Sequence, residues 1–169
     1  SLWGDTPTAW RGASLLSGAG TLILTCALAW VLTGRARTAV LATFLLSLDF
    51  LQLVQSRVAM LDGLQSFWIA AGLLAAAWTA TRPRAGWEVD LLGGLCFGCA
   101  TACKWNGLFA AVGALLALLW MRVGWKPLAR ALLCYCIGIA GVYLLCYLPM
   151  FAREGYDLRL VLAQHQRMW

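Results

Sequence analysis

The chain has 169 residues, 62% of them hydrophobic and only 12% charged, with a formal net charge of +6. A soluble domain carries about 25% charged residues, and here the apolar residues collect in long uncharged runs, so an ordinary soluble fold is excluded. The 13 Lys and Arg residues are scattered between those runs and form no aromatic-interleaved basic stripe, which excludes a nucleic-acid interface.

Three runs, Gly12 to Gly34, Gly63 to Thr81 and Ala131 to Ala152, contain 23, 19 and 22 residues. At ~1.5 Å per residue each can cross a hydrocarbon layer of ~30 Å. The pattern predicts an all-α, polytopic transmembrane bundle of about six crossings. The first covers about 13–33 and ends at Gly34 before Arg35 and Arg37. The second returns through about 38–55 and carries Asp49 within it. The third covers 63–81 and stops at Arg82-Pro83-Arg84. The fourth is short, 91–103, with Glu88, Asp90 and Lys104 near the interfaces. The fifth covers 105–121, and the sixth begins at Pro127 and runs to about Leu148, before Pro149.

This divides the chain into an outer juxtamembrane segment (1–12), a six-helix region (13–149) and a second outer segment (150–169). An even number of crossings puts both ends on one side. Arg35/Arg37, Arg82/Arg84 and Arg122/Lys126/Arg130 occupy the three short turns of the other side, which the positive-inside rule makes cytoplasmic. Seven of the ten tryptophans fall near the predicted helix ends, as interfacial indoles do. No basic leader precedes the first run, so a targeting signal is expected upstream and the chain reads as an internal piece of a longer protein.

The chemistry-bearing residues concentrate at the non-cytoplasmic junctions. Asp49, Gln52, Gln55, Ser56, Arg57 and Asp62 surround the junction of the second and third crossings. On one continuous helix Asp49, Gln52 and Ser56 fall within an arc of about 60°, and Arg57 offers a planar, permanently charged fork for phosphate or carboxylate. Arg57 can equally pair with Asp62 or a headgroup, and Asp49 fits a buried polar network better than chemistry. Lys104-Trp105-Asn106-Gly107 forms a second group: an ammonium for phosphate, an indole for stacking, an amide for a directed hydrogen bond, and a glycine for close approach. An interfacial anchor reads the same lysine and tryptophan without a ligand. His165 and Arg167 are possible outer-loop contacts. Cys96-x-x-Cys99 lies in an apolar helix without partner ligands, so cysteine packing is expected and no metal site is.

These stretches carry a family resemblance. Gln55-Ser56-Arg57-Val58-Ala59-Met60-Leu61-Asp62-Gly63, then Gly98 to Ala102, Lys104-Trp105-Asn106-Gly107-Leu108-Phe109, Tyr147-Leu148-Pro149-Met150-Phe151 and Gln164 to Trp169 resemble, in the same order, polyprenyl- or dolichyl-phosphate-mannose protein O-mannosyltransferases. The resemblance implies part of a GT-C type membrane fold. It implies transfer of mannose from a lipid-phosphate donor to Ser or Thr of an exported protein, by metal-independent inversion. No cofactor is implied, because the lipid-phosphate-linked mannose is itself a substrate. Arg57 and Lys104 are then expected near the donor phosphate, with Asp49, Gln52, Gln55, Ser56, Asp62 and Asn106 supporting the cleft. The family's acidic catalytic pair belongs to an outer loop before the first helix; Ser1 to Trp10 holds Asp5 but no adjacent Asp-Glu pair, so no catalytic residue is assigned and an isolated segment is expected to be inactive. The implied partners are membrane lipid, the lipid-linked mannose and an exported acceptor protein. The expected location is a bacterial plasma membrane, active face outside the cytoplasm, or else an endoplasmic-reticulum membrane with the active face luminal. Transfer of another lipid-linked sugar to a glycan or lipid is a competing reading, as is a transporter or structural membrane subunit using Asp49 and Arg57.

Overall fold

The computed structural model describes residues 7–57, 61–82 and 85–154. Within them the chain forms α1 (Pro7–Thr33), α2 (Ala36–Ser47), α3 (Phe50–Arg57), α4 (Leu61–Thr81), α5 (Trp87–Cys103), α6 (Asn106–Trp120) and α7 (Trp125–Glu154), with no strand among the described residues.

Among the described residues, three helices are long and apolar enough to cross a membrane: Arg11–Thr33, Leu61–Thr81 and Trp125–Cys146. This corrects the expectation of six crossings. The expected second crossing is broken in two at Leu48-Asp49, leaving pieces of 12 and 8 residues. The Asp49 carboxylate accepts the backbone N–H groups of Leu51 and Gln52, each at 3.3 Å, and so caps α3 where a continuous helix was expected. Helix α5 has 17 residues and α6 has 15, which at ~1.5 Å per residue falls short of a ~30 Å hydrocarbon layer. The even-count argument for both chain ends on one side loses its basis with the count. A second boundary also moves, since α7 continues through Pro149 to Glu154. Proline costs that helix one backbone hydrogen bond and does not end it.

Other boundaries follow local chemistry. Gly34 closes α1 at φ +65°, donating its N–H to the Trp30 carbonyl at 2.8 Å, the left-handed cap that glycine accepts without strain. At the end of α4 the Arg82 guanidinium lies 4.8 Å from the centre of the Trp78 ring.

The bundle is inside-out relative to a soluble domain. Its core is mostly small: Ala76, Ala111, Ala114 and Ala131 around Phe97, Leu118 and Tyr135. Large apolar side chains such as Leu16, Ile23, Phe44, Phe109 and Trp120 face outward. Lipid does not drive large side chains inward, and small ones let backbones approach. Helix α5 is central, packing on α4, α6 and most extensively on α7. A Cβ at Gly98 would stand 2.7 Å from the Gly138 carbonyl oxygen and 2.9 Å from the Val142 Cβ, so the α5–α7 crossing requires glycine there. Phe97 and Tyr135 meet edge to face across it, centroids 5.1 Å apart.

Helix direction sets the two ends of the bundle. Ser17 approaches Gly63 and Gly20 approaches Phe67, so α1 and α4 run parallel. Thr79 meets Asp90 while Gln65 meets the Lys104 carbonyl, so α5 runs antiparallel to α4. Asp90 meets Arg130 and Trp105 meets Tyr143, so α7 runs parallel to α5. Arg35, Arg82, Arg122 and Arg130 therefore gather at one end, and the Asp62 and Lys104 segments at the other.

Candidate functional site

Asp62 lies in the first turn of α4 and Lys104 directly follows α5. Because the two helices are antiparallel, these positions 42 residues apart meet, and the Lys104 ammonium donates to the Asp62 carboxylate in an ion pair. The pair is open, with side chains 46% and 23% exposed for Lys104 and Asp62. Asp62 occupies one of the three N–H donors of the ammonium, which leaves the group able to turn toward an anion.

The turn carrying Lys104 is held from three directions. Buried Gln65 donates its Nε2–H to the Lys104 carbonyl at 3.2 Å. The same carbonyl accepts the Gly107 N–H at 2.9 Å, and the Lys104 N–H reaches the Ala100 carbonyl at 3.1 Å. Gly107 sits so close to the Ala100–Thr101 backbone that a Cβ would overlap it, so glycine is what permits α6 to start immediately after α5. Trp105 and Asn106 are exposed beside Lys104, and the Trp105 ring meets Tyr143 of α7 edge to face at 5.8 Å. Thr101, Trp105, Leu108, Ile139 and Tyr143 line an apolar recess of about 310 Å³ next to this turn.

The other expected residues divide as follows. Helix α3 ends at Arg57 and α4 begins at Leu61, which brings the Arg57 backbone to the same end of the bundle as the ion pair. Gln55 packs there too: its carbonyl oxygen would lie 3.3 Å from a Cβ at Gly63. Gln52 is half-buried with its Nε2 buried and unpaired, and exposed Asp49 caps the far end of α3. The side chains of Ser56 and Arg57, and all of His165 and Arg167, lie outside the described residues.

Two buried polar residues, one at this site and one at the opposite end of the bundle, have roles that the sequence did not single out. Gln65, in an apolar stretch, reveals its role only through a carbonyl 39 residues away. Asp90 was expected near the interface, yet it is fully buried. One of its oxygens accepts from Thr79 Oγ1 at 2.6 Å and the other from Arg130 Nε at 2.5 Å, while Arg130 Nη2 donates to the Ala85 carbonyl at 2.8 Å. This network ties α4, α5 and α7 together at the end opposite Lys104. Among the described residues, no three His, Cys, Asp or Glu side chains converge as a metal-ligand set.

The sequence profile of the dolichyl-phosphate-mannose-protein mannosyltransferase family matches residues 4–153. No curated protein and no solved structure gives a significant match. The profile runs through both halves of the ion-paired site and through all three membrane-length helices. The chain thus belongs to the dolichyl-phosphate-mannose-protein mannosyltransferases, integral-membrane enzymes that transfer mannose from a lipid phosphate to protein.

Proposed function

We propose that the Asp62–Lys104 end of the bundle receives the phosphate of a polyprenyl- or dolichyl-phosphate-mannose donor, and that mannose passes from it to a Ser or Thr hydroxyl of an exported protein. The observation that carries this reading is the ion pair itself, a half-exposed ammonium held by a carboxylate, on a turn whose backbone carbonyl is held by buried Gln65, beside exposed Trp105. As the acceptor hydroxyl attacks the anomeric carbon, the carbon–oxygen bond to phosphate breaks and its electron pair leaves with the lipid phosphate. Lys104 and Arg57 are assigned to stabilising that growing negative charge. Asp62 and Gln65 orient Lys104, Asn106 offers an amide to the sugar or phosphate, and Gln52, Gln55 and Ser56 belong to the wall that α3 contributes, which Asp49 caps. His165 and Arg167 are assigned to outer contacts. The base for the acceptor hydroxyl is assigned to an acidic pair in an outer loop upstream of these helices.

The gathering of basic residues supports an orientation. Arg35, Arg82, Arg122 and Arg130 share the end opposite Lys104, and the positive-inside rule makes that end cytoplasmic. The donor site then faces away from the cytoplasm, and the compact turns favour a bacterial plasma membrane. The test is mannosyl transfer by the full-length enzyme in membranes matched for expression. Lys104→Ala and Arg57→Ala are each expected to lose transfer steeply while inserting normally; turnover equal to wild type in either would remove that residue from the donor site.

A further inference from the structure

Helices α1 and α6 both pack on α4, and the wedge between them is an apolar recess of about 220 Å³ lined by all three. Its mouth is at the arginine end of the bundle, because Leu32, Ala80 and Met121 each lie one residue from the end of α1, α4 and α6. From there it runs inward to Leu73 and Ala114, seven residues along α4 and α6, or ~10 Å of helix. That depth stays within one leaflet of a ~30 Å hydrocarbon core. Spread over ~10 Å, the volume gives a slot roughly 5 Å across, half the width of a helix with its side chains. A single lipid tail fits where a helix does not.

The mouth is cationic. Arg122 directly follows Met121, Arg35 follows Leu32 by three residues, and both are exposed. Among the described residues the ion pairs at the two ends are Lys104–Asp62 and Arg130–Asp90, so neither of these arginines has a carboxylate partner. Glu88, the other carboxylate at this end, belongs to α5, which does not line the recess. Arg122 is also a residue that its backbone does not favour. Its φ is +54°, and its N–H to the Leu119 carbonyl at 3.0 Å, with the Val123 N–H to the Leu118 carbonyl at 3.2 Å, closes α6 in the left-handed cap that glycine ordinarily supplies. An arginine kept in that conformation at the mouth of an apolar slot points to an anion for its charge.

We propose that the α1–α4–α6 wedge is a binding site for an anionic phospholipid of the adjacent leaflet, with one acyl chain in the slot and the headgroup phosphate between Arg35 and Arg122. Basic pockets between membrane helices hold anionic headgroups in this way, and a tail seated there packs on α1 and α6 together. The site lies at the end opposite Lys104 and does not depend on the donor reading.

The test exposes delipidated full-length enzyme in neutral detergent micelles to equimolar phosphatidylglycerol and phosphatidylcholine of the same chain length, and reads the retained lipid by native mass spectrometry. Wild type is expected to retain phosphatidylglycerol with about tenfold preference or more, the ratio that two arginines near an anionic headgroup supply. Arg35→Gln combined with Arg122→Gly, the second of which keeps the left-handed cap, should retain the two lipids equally. Ala117→Phe places a ring in the slot from an exposed position of α6 and should lose the retained lipid with both charges intact. Equal retention by wild type, or a preference unchanged in the double variant, overturns the headgroup contact. A preference that persists in Ala117→Phe overturns the slot and leaves only diffuse surface attraction. Displacement of phosphatidylglycerol by an equimolar amount of polyprenyl phosphate overturns the assignment in favour of the donor lipid. No mannosyl transfer is measured, so the outcome is separate from that of the Lys104 site.

Discussion

Replacing Asp90 with alanine should destabilise the bundle more than any change at the donor end. Asp90 is fully buried and both carboxylate oxygens are used, by Thr79 on α4 and Arg130 on α7. Breaking a buried ion pair by removing one partner costs about 3–5 kcal/mol, mostly because the other charge is left uncompensated. The Arg130 side chain is 34% exposed and keeps its bond to the Ala85 carbonyl, so part of that charge can reach headgroups or water. The expected loss is therefore near the low end, about 3 kcal/mol. Replacing both partners, Asp90→Leu with Arg130→Met, removes the orphaned charge and should recover most of the loss, since apolar replacement of a buried pair is often neutral. Reversible unfolding by sodium dodecyl sulfate in mixed micelles measures both. An Asp90→Ala protein within about 0.5 kcal/mol of wild type, the range of an inconsequential surface change, would refute the clamp, as would a double variant less stable than the single one.

Gly98→Val forces a side chain against the Gly138 carbonyl and Val142, and should cost about 1–3 kcal/mol in the same assay. Gly113→Ala, in α6 with nothing within 4 Å of the added methyl, should instead gain up to about 1 kcal/mol from helix propensity. Asp49→Ala removes the cap of α3 and should cost about 1 kcal/mol; a value near zero would mean that α2 and α3 join as one helix.

Run length and composition made the three membrane-length helices legible, because an uncharged stretch near 20 residues has few alternatives. The same criterion overcounted crossings. Residues 38–55 read as a nearly continuous apolar run, and only the capping bonds from Asp49 to Leu51 and Gln52 reveal that the helix restarts there. Pro149 read as a stop, yet one missing hydrogen bond is tolerated inside α7. The meeting of Asp62 with Lys104 was legible as a shared end of the bundle, but not as a pair, since Arg57 stood nearer in sequence to Asp62. The Asp90–Arg130–Thr79 network joins residues 40 and 11 positions apart. No periodicity encodes such a contact; it exists only once α5 has been laid between α4 and α7.

The central claim, that Lys104 faces the donor phosphate, is tested most directly by competition with free polyprenyl phosphate, the leaving group without the sugar. A hydrogen bond to a charged group is worth about 1.5–3 kcal/mol, and 1.4 kcal/mol is tenfold in affinity. Lys104→Ala in the full-length enzyme should therefore raise the inhibition constant of polyprenyl phosphate by about tenfold or more, with the uncharged polyprenol unaffected. An inhibition constant unchanged by the substitution would contradict the account.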